Sequence, residues 1–507
     1  MHHASRTTHP LASQLLPTHS VSVSSAKHTF DYDVAVIGGG SGGYAAARTA
    51  ANSGLKTVVI EGGEEVGGLC ILRGCMPTKA LLYAAEVMHL ASHARPWGID
   101  AENVSFNFAQ VMARKDTLIK EFADYRSQQL HSGKFEFIRA MARFADPHTI
   151  DLLPTEWEEG KGERKGDWGT SSAVRTLTAK SFIIATGSKI APSPIPCVDP
   201  THCLNSDTAL KLTRLPKSVI ILGGGATACE FAQFFQRFGV NVTMIQRSSH
   251  ILHEFDSDAT SELEKVFRRE GITLYTGTKV IDSRNVGSQK EVTFECEGKT
   301  LRVSAEDVFY ALGRMPNTDS LGLEKIGLAT DEARILTNHF MQTNLPHIYG
   351  VGDCVGRHEI VHIAVQQGEV AGHNVGHPDQ MKEMDYRLLT EIVFTDPQIA
   401  AVGLTQKKAQ KRGIPYITAS YPFNDHGKSL IMEARDGFVK LLAAPATGEI
   451  IGGCCVGPYG GELIHEVIAA MFKRMTVQEL AAMPHYHPTL AEIWTYPAEE
   501  LAEKIPG

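Results

Sequence analysis

The sequence lacks any uninterrupted apolar run approaching the roughly 20 residues that a bilayer-spanning helix requires, which predicts a soluble chain with no membrane partner. It lacks an excess of basic charge. Lys and Arg number 49 against 57 Asp and Glu, a formal net charge of −8, and this argues against nucleic acid or an anionic lipid surface as the partner. It also lacks the closely spaced, even-numbered cysteines of a secreted disulfide framework. Nine cysteines are scattered along the chain as Cys70, Cys75, Cys197, Cys203, Cys229, Cys296, Cys354, Cys454 and Cys455. That usage fits a reducing, cytoplasmic compartment with one special pair. Cys454-Cys455 lies in an apolar run from Ile450 to Val456 and reads as core packing. The segment 1–30 has no acidic side chain and a single arginine, Arg6; it reads as a disordered extension, with a mitochondrial transit peptide, and hence the matrix, as the other reading.

What is present is ordinary globular composition, 43% hydrophobic and 21% charged, in a chain long enough for about three domains. Its most informative stretch is Gly67-Gly68-Leu69-Cys70-Ile71-Leu72-Arg73-Gly74-Cys75-Met76-Pro77-Thr78-Lys79. Pro77 suits the first turn of a helix, where a missing N–H costs nothing. Cys75 is thereby placed near a helix N-terminus, where free N–H groups and the helix dipole favour a thiolate. The spacing of Cys70 and Cys75 leaves open a redox pair or two unrelated buried cysteines. A metal site is disfavoured, since the segment has no histidine and no short C-x2-C spacing.

Tyr32 to Ile37 reads as a strand, Gly38-Gly39-Gly40-Ser41-Gly42-Gly43 follows at once, and an alanine-rich helix comes next. Strand, G-x-G-x-x-G and helix in that order form the dinucleotide fingerprint. In it Gly38 makes the turn, Gly40 admits a pyrophosphate and Gly43 permits close helix packing. Glu61, ending a second strand, is placed to hold a ribose diol. The pattern returns at Ser218 to Leu222 with Gly223, Gly225 and Ala228, a second fingerprint of the G-x-G-x-x-A type. Its second strand leads into Arg247 rather than an acid, which points to a 2′-phosphate and so to NADPH, with NADH and a plain surface charge left open. Strands that end in small residues at Thr186-Gly187, at Gly313 and before Asp353 suit backbone that approaches a ligand. Asp353 reads either as a contact to a polyol chain or as a helix cap. Glu156 to Ser172 is charged and glycine-rich and is expected to be a loop. From about Tyr386 strands and amphipathic helices alternate without a nucleotide motif, and near the end His487 precedes Glu492 by five residues. That pair reads as a base oriented by its acid, or as a capping or core histidine.

Together these motifs resemble the flavin-dependent pyridine nucleotide-disulfide oxidoreductases, the family of dihydrolipoamide dehydrogenase, glutathione reductase and mercuric reductase. The resemblance runs from about Asp31 to the C-terminus. It implies an α/β chain with two Rossmann-like dinucleotide-binding domains and an α+β C-terminal dimerisation domain: FAD on residues 31–190 and 311–383, NAD(P)H on 191–310, and a homodimer made through 384–507. It implies Cys70 as the thiol that exchanges with substrate and Cys75 as the thiol beside the flavin, joined as a redox disulfide. His487 of the partner subunit would be the acid/base, oriented by Glu492. Lys79 would pair with Glu230 near the flavin ring, Asp353 would contact the ribitol, and Ala364 would be among the cofactor contacts.

Three departures from the family pattern stand out. Leu72 and Arg73 replace a polar and a small apolar residue between the thiols, and an inward-pointing Arg73 is expected to lower a thiol pKa. Ala226 stands where an aromatic or branched residue often screens the nicotinamide site. The chain ends Glu503-Lys504-Ile505-Pro506-Gly507, without the terminal cysteine pair of mercuric reductases, and has His487 where they carry tyrosine. The resemblance therefore implies a dihydrolipoamide dehydrogenase-like enzyme acting on a small thiol or disulfide or on a lipoyl-bearing protein. An NADPH-dependent disulfide or mercuric(II) reductase is the alternative, and a flavoprotein redox sensor or complex subunit the non-enzymatic one.

Overall fold

The computed structural model describes residues 29–155, 175–195, 198–356 and 358–505. The extension up to residue 28, the expected loop 156–172 and Cys197 lie outside the described residues.

Tyr32–Ile37 is almost wholly buried and forms the centre of a parallel sheet. It pairs with Thr57–Glu61 on one side, Val36 opposite Val59, and with Arg175–Ile184 on the other, Val36 opposite Ile183. Strands covered on both faces need such continuous apolar runs. Glu136–Arg139 extends the sheet at one side, and Ile348–Gly350, arriving from far along the chain, joins Arg175–Ile184 in parallel. The carboxyl ends of these strands share one edge, where sheets of this kind take their ligands. The helix Ser41–Asn52 starts there and lies against Val361–Gly376. A Cβ at Gly368 would fall 2.2 Å from the Gly42 carbonyl oxygen, and one at Gly372 2.5 Å from that of Ala46, so glycine sets the closeness of this helix pair.

Ser188–Ile190 leaves this sheet and Arg314–Pro316 returns to it, the two pairing antiparallel. Between them Ser218–Leu222 repeats the first arrangement, flanked in parallel by Asn241–Ile245 and Asp307–Tyr310, with Thr273–Tyr275 beyond. A three-stranded antiparallel sheet packs against it, its Val292 and Phe294 sharing a core with Ile220, Leu222 and Tyr310.

The C-terminal part is a five-stranded antiparallel sheet in the order Thr390–Val393, Gln398–Gly403, Ile450–Gly457, Phe438–Ala443 and Ile417–Pro422. Helices Gly460–Phe472 and Thr495–Ala502 pack on it around the buried Trp494, and Cys454 and Cys455 are both buried in its strands. The fold is thus α/β, two dinucleotide-type sheets joined to an α+β domain. The helix Cys75–Ser92 threads between them, its Leu81 and Ala85 sharing a core with Phe231, Phe234 and Phe235 of the helix Ala226–Arg237. Among the described residues no helix is long and apolar enough to cross a membrane.

Candidate active site

Cys70 sits in a single helical turn, Leu69–Leu72, and Cys75 is the first residue of the long helix that follows. Gly74 joins the two turns so tightly that a Cβ there would lie 3.0 Å from the Leu69 carbonyl oxygen and 3.1 Å from Cys70 Cα. Both cysteines are free and half-buried, and each acts on the acidity of the other. The pair divides its acidity unequally. The hydrogen bond to Cys75, reinforced by burial, pushes the Cys70 thiol well up. The same hydrogen bond stabilises the Cys75 thiolate; burial opposes this, the Lys79 ammonium and a helix-start N–H support it, and the Cys75 pKa falls to about 7. Cys75 is therefore the thiol of the pair that ionises first.

Arg73 does not take part. Its guanidinium turns away to Asp207, 3.6 Å off, and nearly half of its side chain is exposed. The expectation of an inward Arg73 acting on the thiols is therefore corrected: Asp207, itself 3.8 Å from Arg314, draws the charge outward.

Lys79 lies one turn beyond Cys75. Its Nζ donates to both carboxylate oxygens of Glu230, at 2.9 and 3.0 Å, and sits 4.6 Å above the ring of Phe394. Glu230 is only 3% exposed and also accepts from the Phe394 N–H at 3.0 Å. One buried carboxylate thus ties the thiol helix, the second dinucleotide unit and the start of the C-terminal domain together.

The first glycine loop fits an FAD molecule on this structure's own terms. Gly38 has φ +108°, and a Cβ there would lie 2.3 Å from the Ala185 carbonyl oxygen; one at Gly43 would strike the Gly38 oxygen at 1.9 Å, whereas one at Gly40 would meet only Gly68, at 3.7 Å. The loop is rigid where it must turn and bare where a pyrophosphate would approach. Glu61 ends its strand as expected, its two oxygens accepting from the N–H groups of Gly39 at 2.8 Å and Gly63 at 2.6 Å. Thr186 Oγ1, beside Gly187, and Arg126 Nε and Nη1 are buried polar atoms without a partner, which a phosphate- and hydroxyl-rich cofactor would satisfy. Asp353 caps no helix with its side chain; it accepts from Ser188 Oγ at 2.7 Å, and Ser188 in turn accepts from Arg314 Nε at 2.9 Å. Ala364 packs its carbonyl oxygen 3.0 Å from where a Gly42 Cβ would be, and Gly313, with φ +117°, borders open space.

At the second loop Gly223 has φ +114°, Gly225 is open on its Cβ side and Ala228 is buried. Arg247 stands exposed just past the strand Asn241–Ile245, and among the described residues its side chain has no ion-pair partner. Ala226 is exposed at the mouth of the loop.

His487 Nδ1 lies 3.0 and 3.2 Å from the oxygens of Glu492. The histidine side chain is 78% exposed and the carboxylate is buried, so His487 is neither a core nor a capping residue. No described hydrogen bond or ion pair joins it to Cys70 or Cys75 of its own chain. Arg126, Ser188, Arg314 and Gln367, whose Oε1 accepts from the Gly352 N–H at 2.8 Å, were not singled out by sequence reasoning. Their partners lie too far along the chain for spacing to show them.

Two dinucleotide-type sheets, a thiol pair at a helix start and an exposed histidine–carboxylate pair on a third domain define a flavin- and nicotinamide-dependent disulfide oxidoreductase. Residues 32–368 match the family model for pyridine nucleotide-disulphide oxidoreductases, and residues 389–498 match that family's dimerisation domain. The chain belongs to this family. It is 35% identical over 470 residues to the dihydrolipoyl dehydrogenase of Bacillus subtilis, covering 91% of this chain and 96% of that protein. It is 32% identical over 470 residues to the mitochondrial dihydrolipoyl dehydrogenase of Schizosaccharomyces pombe, covering 91% and 88%. Among solved structures, LpdA from Mycobacterium tuberculosis superposes with a TM-score of 0.81 at 28% identity, over 92% of this chain and 99% of that one. The HOCl-induced flavoprotein disulfide reductase RclA from Escherichia coli shares the fold, with a TM-score of 0.78 at 22% identity. The chain is a dihydrolipoyl dehydrogenase-like enzyme that uses FAD and NAD(H) or NADP(H), and it carries the family's domain for homodimer formation.

Proposed function

We propose that this enzyme exchanges electrons between a nicotinamide nucleotide and a lipoyl-type dithiol or disulfide through Cys70 and Cys75. The observation that carries the reading is the pair of free thiols brought together across Gly74, Cys75 at the start of its helix with Lys79 one turn on and the more acidic of the two. FAD is assigned to residues 31–190 and 311–383 and the nicotinamide nucleotide to 191–310. Bound FAD supplies two-electron exchange between the nicotinamide and the thiols. Gly38, Gly40, Gly43, Glu61, Thr186, Gly187, Asp353, Ala364 and Gly313 would hold it, and Cys75 would face its ring.

Cys70 is the attacking thiol. The imidazole of His487 of the partner subunit takes the Cys70 proton, the Cys70 thiolate breaks the substrate disulfide, and the substrate sulfur that leaves receives that proton; in the other direction the same imidazole takes the proton from the substrate thiol that attacks the Cys70–Cys75 disulfide. Glu492 holds that ring in one tautomer. Over the full reaction NAD(P)H, one proton and a disulfide give NAD(P)⁺ and two thiols. Arg247, a cation with no ion-pair partner among the described residues, stands just past the second nucleotide strand and supports NADPH over NADH. The scattered free cysteines support a cytoplasmic enzyme.

The test is a comparison of NADPH and NADH as donors to lipoamide, oxidised glutathione and Hg(II). Lipoamide turnover is expected, with NADPH preferred, and Arg247→Leu is expected to erode that preference by about tenfold, the worth of one charge-assisted contact. Turnover of oxidised glutathione without lipoamide would replace the lipoyl reading by that of an NADPH-dependent disulfide reductase.

A further inference from the structure

We propose that His426 is a positioning residue for the acid/base pair, its ring holding Glu492 from behind so that the carboxylate stays aimed at His487. The proposal rests on the reading of His487 and Glu492 given above.

His426 has no exposed surface and stands just before the short helix Gly427–Ile431. Its Nδ1 is 2.8 Å from Ser429 Oγ, and its Nε2 is 3.3 Å from Glu492 Oε1. Glu492 is the same carboxylate that meets His487 on its other side. Ser429, His426, Glu492 and His487 thus stand in file, one end sealed in the domain core and the other in the open. The contact between His426 Nε2 and Glu492 has the length of a hydrogen bond without its direction, and Nε2 is otherwise buried and unpartnered. A ring nitrogen cannot stay unpaired in a dry core without cost, and a small rotation toward Glu492 completes the bond. Hydrogen bonds within an acid/base site are commonly long before the site is fully assembled.

Chemistry fixes the direction of the relay. When the Ser429 hydroxyl donates to Nδ1, the proton of the neutral ring resides on Nε2, pointed at Glu492. Burial holds the ring in its neutral form, against the pull of the Glu492 carboxylate. A neutral donor steers the carboxylate yet leaves its negative charge for His487. The titratable groups around His426 are Glu492 and His487 from the C-terminal turn, Tyr496, whose ring centroid is 6.4 Å away on the helix Thr495–Ala502, and Asp425 and Tyr421 on its own segment.

The experiment uses the FAD-loaded homodimer with His426→Leu, His426→Asn, Ser429→Ala and, as reference, His487→Gln. Two quantities are read: turnover with lipoamide, and the pH at which iodoacetamide alkylation of Cys70 in dithiothreitol-reduced enzyme reaches half its plateau. His487→Gln is expected to cut turnover by about 10²–10⁴-fold, the range for general acid–base catalysis. His426→Leu is expected to cut turnover about tenfold and to move the alkylation half-point upward by about one pH unit, as loss of one hydrogen bond to a charged group implies. His426→Asn, whose amide can still donate to Glu492, is expected to restore both, and Ser429→Ala to fall between. If His487→Gln is impaired while His426→Leu keeps the native half-point, the positioning role is overturned and the acid/base reading stands. If His487→Gln is itself indifferent, both fall. If His426→Leu loses flavin or dimer, His426→Asn decides: an intact, FAD-loaded Asn variant with a displaced half-point contradicts the proposal.

Discussion

At the scale of single residues, the chemistry turns on how unlike the two thiols are. The Cys75 pKa lies near 7, below the ordinary thiol value, so its thiolate is present above that pH and disappears as pH falls through it. Any long-wavelength absorbance that a Cys75 thiolate lends to the bound flavin should therefore titrate with an apparent pKa near 7. Lys79→Met should raise that value by about one unit or more, because a cation beside the sulfur is removed. Glu230→Gln should lower it, since the carboxylate opposes the thiolate. Arg73→Val should leave it unmoved, because Arg73 is engaged with Asp207. Cys75 at a helix start was legible in the sequence from Pro77 two residues on. The direction of Arg73 was not, because Asp207 is 134 positions away in numbering and nothing local marks it as the partner.

At the scale of elements, both glycine loops were legible because strand, turn and helix are consecutive and each glycine answers a local steric demand. The helix pair that backs the first loop was not. Ser41–Asn52 and Val361–Gly376 meet through Gly368 and Gly372, which touch the backbone of residues far away in sequence. Gly368→Ala should place a methyl against the Gly42 carbonyl and force the pair apart. A loss of about 1–3 kcal/mol in stability is expected, together with weaker retention of FAD because Gly42 belongs to its loop. Thermal unfolding and flavin content after dialysis check both. Arg126 was invisible for a similar reason. It is one arginine among the polar residues of Phe108–Leu130, and only the folded chain shows its ring contact with Tyr44 and its two unpaired nitrogens.

At the scale of the whole molecule, the second dinucleotide unit is tied to the C-terminal domain by Lys440, 3% exposed on its side chain, which reaches Asp256 at 2.9 Å and Asp258 at 2.8 Å. Burial works against the Asp256 carboxylate, but the Lys407 N–H and the Lys440 ammonium outweigh it and hold its pKa below the usual range. Its share of the stability is therefore present above the unfolded carboxylate value of about 3.9 and is lost as pH falls through the depressed folded value. Lys440→Met, which strands that carboxylate, should cost about 3–5 kcal/mol at neutral pH and remove this acid-side component from the pH dependence of denaturant unfolding. The clamp does not touch the thiols, so it governs how the domains stay assembled, whereas Cys70 and Cys75 govern the chemistry. The most direct test of that chemistry is to alkylate the FAD-loaded enzyme with iodoacetamide under denaturing conditions, before and after anaerobic reduction with NADPH or NADH, and to locate the label by peptide mass. Label appearing at Cys70 and Cys75 only after reduction is the expected result; equal labelling of both cysteines in the air-oxidised and reduced enzyme would contradict a redox pair.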